Sequence, residues 1–380
     1  MNSQSTVQHA TQLVIWGALV LGLIFGAVGQ WSRFCVRGAI ADWMIERKPG
    51  RLASWMLAVL VAVIGTQLLI AQGMLDATKA VAWTDRFIWA SYLLGGAVFG
   101  YGMILARGCP QRSLVKAGAG DLRAIVTLLV VAISAQMSLR GLFAQPRALL
   151  LDSNAVQLAG PQDLGTLIGG AAGFGATAAR WSIVVVLAAA IAWWLLRARP
   201  NTSTPQWIGG LLIGLLVPAA WYLTGHVGFI AEHPSTLEAT WLGTQSRRPE
   251  GLSFTAPLAA SLDLLSLWTD KNTVVTFGVM LSLGVLLGST LSALLRHDFR
   301  VESFESPRQL AEHLVGGTLM GFGGVTALGC SIGQGLTGLA MLSAGALLAV
   351  AGIVFGAWSA VRIQSRQRTP SDRGRIVAAA

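Results

Sequence analysis

The chain has 380 residues, 54% of them hydrophobic and 12% charged, with a formal net charge of +10 and three cysteines. Soluble domains are about 25% charged, so this composition excludes one; long continuous apolar runs exclude a β-barrel, which needs short alternating segments. The excess of arginine comes without a basic, aromatic-interleaved module, which argues against nucleic acid and for membrane topology, and three cysteines are too few for a disulfide framework.

In chain order, the opening MNSQSTVQHATQ has no basic n-region and no cleavage site, so the first apolar run, 11–28, reads as a retained span. A broken piece follows at 30–45, holding Cys35 in GQWSRFCVRGAIADW. Spans are expected at 52–73 and 87–107, then a short piece at 109–119 that opens on Cys109. A span at 121–143, a glycine-rich piece at 163–177 and spans at 178–197 and 207–225 come next. The last third reads as a broken piece at 252–268, spans at 274–296 and 310–328, a loop at 330–341 opening on Cys330, and a final span at 342–362. The expectation is an all-α polytopic membrane protein of about nine transmembrane helices. Its short pieces are expected as re-entrant half-helices, because non-helical backbone survives at membrane depth only inside protein or against a polar cavity. Residues 1–200 are expected as one repeat half, 201–365 as the second, and 366–380 as a basic cytoplasmic tail.

With the N-terminus outside, the inside loops hold seventeen Lys and Arg against eight outside, leaving aside Arg33 and Arg37. That asymmetry sets N-out, C-in.

The chain also repeats itself. In LLGGAVFGYGMILARGC and HLVGGTLMGFGGVTALGC, Gly95, Gly96, Gly100, Gly102, Gly108 and Cys109 match Gly316, Gly317, Gly321, Gly323, Gly329 and Cys330 at one offset. A weaker echo relates 17–31 to 209–223. The strong copies fall on the third and eighth spans, an odd separation, so they cross in opposite directions as an inverted repeat. Gly96 with Gly100, and Gly317 with Gly321, have the spacing of close helix packing. Gly108, Gly329, Gly333 and Gly335 fall where helices break, and are expected to allow positive φ and close backbone approach to a ligand.

All three cysteines lie in broken segments. Pro110 suits a first helical position, which puts Cys109 at a helix N-terminus, where backbone N–H groups favour an anion. No C-x-x-C occurs and the histidines are scattered, although His226 falls near the place in the second half that corresponds to Cys35; a metal is not expected. There is no Walker A or dinucleotide fingerprint, so no cofactor is expected and the driving force must be a gradient, a partner or product trapping. Carboxylates for proton coupling are few; Asp263 and Glu312 lie near span edges. Thiols, glycine backbone and helix N-termini suit a soft, large anion, held by weak neutral donors that let it move on. Arg33, Arg37, Arg107 and Arg112 either supply an attractive field or serve topology.

At SRFCVRGAIAD, at GYGMILARGC with the following KAGAGDLRA, and at GFGGVTALGCSIGQGLTG, the sequence resembles the YeeE/YedE family of sulfur-transport membrane proteins. The resemblance implies thiosulfate uptake across the bacterial inner membrane. The ion would pass along Cys35, Cys109 and Cys330 by hydrogen bonding, toward a small separate TusA-like cytoplasmic sulfur carrier. The second motif departs from the family pattern: it continues as CPQRSLVKAGAG, with Arg112 near the thiol and Ala119 where an acid is expected. Three alternatives stay open: a transporter of another sulfur or selenium compound, a membrane sulfurtransferase that forms a cysteine persulfide, and a structural subunit.

Overall fold

A chain segment in hydrocarbon must satisfy its backbone internally, and uncharged runs of Ala, Leu, Val and Gly do so as helices. The computed structural model describes residues 3–367, apart from 174, 235–236 and 271–272. The first half contains α1 (Ser3–Ser32), α2 (Val36–Glu46), α3 (Gly50–Ala71), α4 (Trp89–Leu105), α5 (Pro110–Gly118), α6 (Leu122–Arg140) and the single turn α7 (Ala144–Arg147). Then come α8 (Leu164–Ala172), α9 (Ala176–Ala198), α10 (Thr204–Tyr222), α11 (Thr255–Ser266), α12 (Phe277–Leu295), α13 (Pro307–Thr326) and α14 (Ala344–Gln367). Two antiparallel pairs, Arg86–Phe87 with Val156–Gln157 and Phe229–Ile230 with Thr240–Trp241, tie down loops. The expected basic tail lies, from residue 368 on, outside the described residues.

Among the described residues, eight helical runs are long and apolar enough to cross a membrane, and the chain is a multi-pass membrane protein. The eighth of the nine expected spans, 310–328, is absent from these runs and folds as the 20-residue α13. It is less apolar than the eight because Arg308, Glu312 and His313 occupy its first turns, and His313 there faces a polar cavity rather than lipid. The five broken pieces fold as α2, α5, α8, α11 and a short π-helical segment, Gly333–Gly338, each too short to cross.

Glycines set how the long helices meet. A Cβ on Gly95 would strike Ala327 N and Gly323 O, and one on Gly316 would strike Ala106 N and Gly102 O, at 2.6–3.0 Å. The start of α4 therefore lies on the end of α13 and the reverse, so the two repeat copies run antiparallel with backbone against backbone. Gly96 and Gly100 seat on Ala349 and Ile353 of α14, while Gly317 and Gly321 seat on Val130, Val131 and Ser134 of α6. Each copy is thus packed in the same way on the long helix that follows the other copy. The weaker echo behaves alike: Gly17 of α1 meets Leu223 beyond α10, and Gly209 of α10 meets Ser32 of α1. Small residues let these backbones approach closely enough for dispersion contacts along their length. α8 and α9 stand apart, against each other and α3.

Candidate functional site

The three cysteines are presented by one recurring piece of backbone. At each, a left-handed residue breaks the chain two positions upstream: Arg33 (φ 53°), Arg107 (φ 54°) and Leu328 (φ 55°). At each, the cysteine carbonyl then accepts the first bond of a new helical turn, from Ala39, Ser113 and Gln334 N–H, at 2.9, 2.8 and 2.8 Å. α4 and α13 end in the same Schellman pattern, in which Gly108 N–H donates to Met103 O and Gly329 N–H to Gly324 O. The thiols stand at the start of the next turn. Cys35 Sγ accepts from Gly38 N–H at 3.3 Å and Cys330 Sγ from Gly333 N–H at 3.4 Å. Cys109 is the N-cap of α5 with Pro110 behind it, and its S–H leans toward Gln111 Oε1 at 3.8 Å.

This corrects the expectation for the glycines. Gly108, Gly329, Gly333 and Gly335 do not adopt positive φ; Arg107 and Leu328 carry the left-handed turn instead. The Schellman pattern places its left-handed residue one position before the glycine, so Gly108 and Gly329 follow the bend rather than make it. The glycines serve close packing. A Cβ would meet Gln334 at Gly329 (3.2 Å), Ser253 Oγ at Gly333 (2.9 Å) and Trp55 at Gly335 (3.4 Å).

All three thiols are buried, and Cys109 interacts electrostatically with both Cys35 and Cys330. Around them are buried polar atoms with no hydrogen-bond partner: Arg37 Nε and Nη1, Arg112 Nε, Gln111 Nε2 and Trp55 Nε1; the Ser331 hydroxyl faces the Cys109 thiol. Arg37 is 2% exposed and interacts electrostatically with Cys35. Asp42 and Cys35 act on it favourably from a distance, but it makes no ion pair among the described residues, and a buried guanidinium in that state costs several kcal/mol, about the scale at which such groups are retained for a ligand or a partner. The orphans named here can all donate, which is what an anion requires, while Asp42 Oδ1, electrostatically coupled to Arg37, is an unpartnered acceptor.

Two cavities flank this set. One, of about 950 Å³, takes Arg33, Arg107 and Arg112 into its wall with Arg51, Lys116 and Arg123. It lies at the end of α4 and the start of α13. Its charges are partly paired: Arg107 with Glu312 at 3.7 Å, and Arg123 with Asp121 at 2.9 Å and with Glu302. Where Ala119 replaces the expected acid, Asp121 and Glu302 line the same wall. The other cavity, of about 290 Å³, is apolar and reaches Leu328, Gly329 and Gly333 beside Cys330, at the opposite ends of the same helices.

Other sequence candidates fall elsewhere. His226 stacks on Tyr222, ring centroids 5.2 Å apart, rather than joining a thiol. Asp263 pairs with Arg140 at 3.6 Å and accepts a bond from Gln136, and Glu312 is held by Arg107 and Arg308. Gln111, Ser331 and Trp55 were not singled out from the sequence. The first two sit two and one residues after a cysteine, which was the available signal; Trp55 is distant in the chain and had none.

The chain is 28% identical over 356 residues to the thiosulfate transporter TsuA of Escherichia coli (strain K12), covering 91% of this chain and 94% of that protein. It is 24% identical over 364 residues to the thiosulfate transporter TsuA of Spirochaeta thermophila, covering 93% of this chain and 100% of that protein. The family model described as Sulphur transport matches residues 31–359, a stretch that holds all three cysteines, and the chain belongs to that family.

Proposed function

We propose that this protein carries thiosulfate across the bacterial inner membrane, N-terminus outside and C-terminus inside, along Cys35, Cys109 and Cys330. The reading is supported by two full-length relatives that bear that activity in their names. The observation that carries it is the set of orphaned buried donors, above all Arg37, around three buried helix-start thiols between two cavities. A dianion entering the dry region meets Arg37 and Arg112, whose charge replaces part of its lost hydration. The thiols offer weak S–H donors that bind without trapping, so exit stays possible. Passage leaves each thiol chemically unchanged, and the chain acts as a transporter, not an enzyme. The basic cavity faces the cytoplasm, consistent with the excess of Lys and Arg at that end, and releases the ion there, to a separate TusA-like carrier.

The test is uptake of radiolabelled thiosulfate into proteoliposomes by wild type, Cys109→Ala and Cys330→Ala, with the thiols followed by mass spectrometry. Wild-type uptake, its loss in both variants and unmodified wild-type thiols are expected. Full uptake by both variants removes the cysteine route, and a persulfide on Cys109 during turnover replaces passage with covalent transfer.

A further inference from the structure

The apolar cavity beside Cys330 has one charge in its wall. Among the described residues lining it, Glu250 is the one carboxylic acid, and no Lys, Arg or His joins it; the others include Trp221, Leu252, Pro257 and Phe277. A dianion in this cavity shares it with that carboxylate.

Glu250 is held in place rather than free to swing aside. Its backbone O accepts from Thr224 Oγ1 at 2.7 Å and its N–H donates to the same oxygen at 3.2 Å. One residue on, a Cβ at Gly251 would run into Thr337 and Trp221, and Thr337 Oγ1 donates to Leu252 O at 2.7 Å. The carboxylate itself accepts from Ser246 N–H and Ser246 Oγ, both at 2.7 Å. No charged partner among the described residues neutralises it. The loop's own Arg247 and Arg248 are exposed, and on neighbouring elements Arg140 is engaged by Asp263, His226 by Tyr222, and Tyr92 by Gln162. Burial pushes the Glu250 carboxyl above the usual carboxylate range, against the opposing pull of the Ser246 bonds.

We infer that Glu250 is a protonation-controlled gate on the Cys330 side: its ionised form repels the dianionic substrate from the cavity, and its protonated form admits it. The inference rests on the anion-transport reading above. Uptake then falls as pH rises through the titration of this group, because the carboxylate forms and stays unpaired in an apolar wall.

The experiment holds pH equal on both sides of the proteoliposome, so that no gradient drives transport, and compares about pH 4.5, near the ordinary glutamate value, with about pH 8, well above it. Wild-type uptake is expected to be about tenfold faster at the lower pH, the ratio that about 1.4 kcal/mol of repulsion produces. Glu250→Gln is expected to be fast at both. A second variant, Ser246→Ala, removes a donor that favours the ionised form and is expected to move the midpoint toward higher pH. Glu250→Gln with the wild-type pH profile overturns the gate, as does an unmoved midpoint in Ser246→Ala. Wild-type uptake insensitive to pH overturns the gate alone; no wild-type uptake at either pH overturns the transport reading and the gate with it.

Discussion

Replacing Gly100 by alanine tests whether α4 and α14 really touch along their backbones. The new Cβ would fall against the Ile353 carbonyl oxygen, with Ile353 C at 2.8 Å and Cα at 2.9 Å. Every one of these atoms is main chain, so no rotamer change relieves the clash, and the helices must move apart. Separation also loosens the neighbouring seats, where Gly96 meets Ala349 and Gly352 and Gly356 meet Leu93 and Ala97. Overpacking of this kind costs typically about 1–3 kcal/mol, and a backbone clash on a shared seam belongs at the top of that range. Alanine recovers about 1 kcal/mol of helix propensity over glycine, leaving a net loss of about 2 kcal/mol. Gly170 of α8 is the control, because nothing lies within 4 Å of its Cβ position. Gly170→Ala should gain up to about 1 kcal/mol. Gly321→Ala, the repeat partner of Gly100, meets Ser134 Cβ at 2.6 Å and Val131 O at 2.7 Å, and should lose about as much as Gly100→Ala. Thermal unfolding of the detergent-solubilised protein reads all three. Gly100→Ala and Gly321→Ala as stable as Gly170→Ala would refute the close-packed seam.

Leu328 holds φ at 55°, where a non-glycine side chain costs about 1 kcal/mol or more. Leu328→Gly, in a half-open position on the apolar cavity, should therefore raise stability by a few tenths to about 1 kcal/mol, and a lowered melting temperature contradicts the strained turn. Arg37→Met keeps the volume of a fully buried side chain while deleting its unpartnered charge. Stability is expected to hold or rise, since a buried uncompensated ion contributes nothing favourable without its ligand, while thiosulfate uptake collapses. A stable variant with normal uptake would take Arg37 out of the route.

Much of the skeleton was readable before any coordinates. Hydropathy located the long helices, and the matched Gly95–Cys109 and Gly316–Cys330 strings disclosed the antiparallel pair, because glycine spacing reports backbone contact directly. Pro110 disclosed the N-cap at Cys109 because proline is tolerated at a helix start. What stayed hidden depends on three-dimensional closure. Arg107 and Leu328 look like ordinary helix residues; only their position one step before a Schellman glycine makes them left-handed. Arg37 reads as a loop cation until α2 folds it inward, and the wall of the basic cavity gathers residues from α3, α6 and α13 that are far apart in the chain. Glu250 carries no signal in the sequence, whereas the places of Asp263 and Glu312 near span edges are visible and their arginine partners are not.

The paired bends after α4 and α13 have a further meaning. Both hang one side chain outward from the same left-handed slot, and the slot accepts unlike occupants: a cation at Arg107, facing the charged chamber, and a hydrocarbon at Leu328, facing the greasy one. Two mouths of opposite character thus grow from one main-chain shape. The occupant of the slot matches the chamber it faces, while the main-chain bend that presents it stays the same.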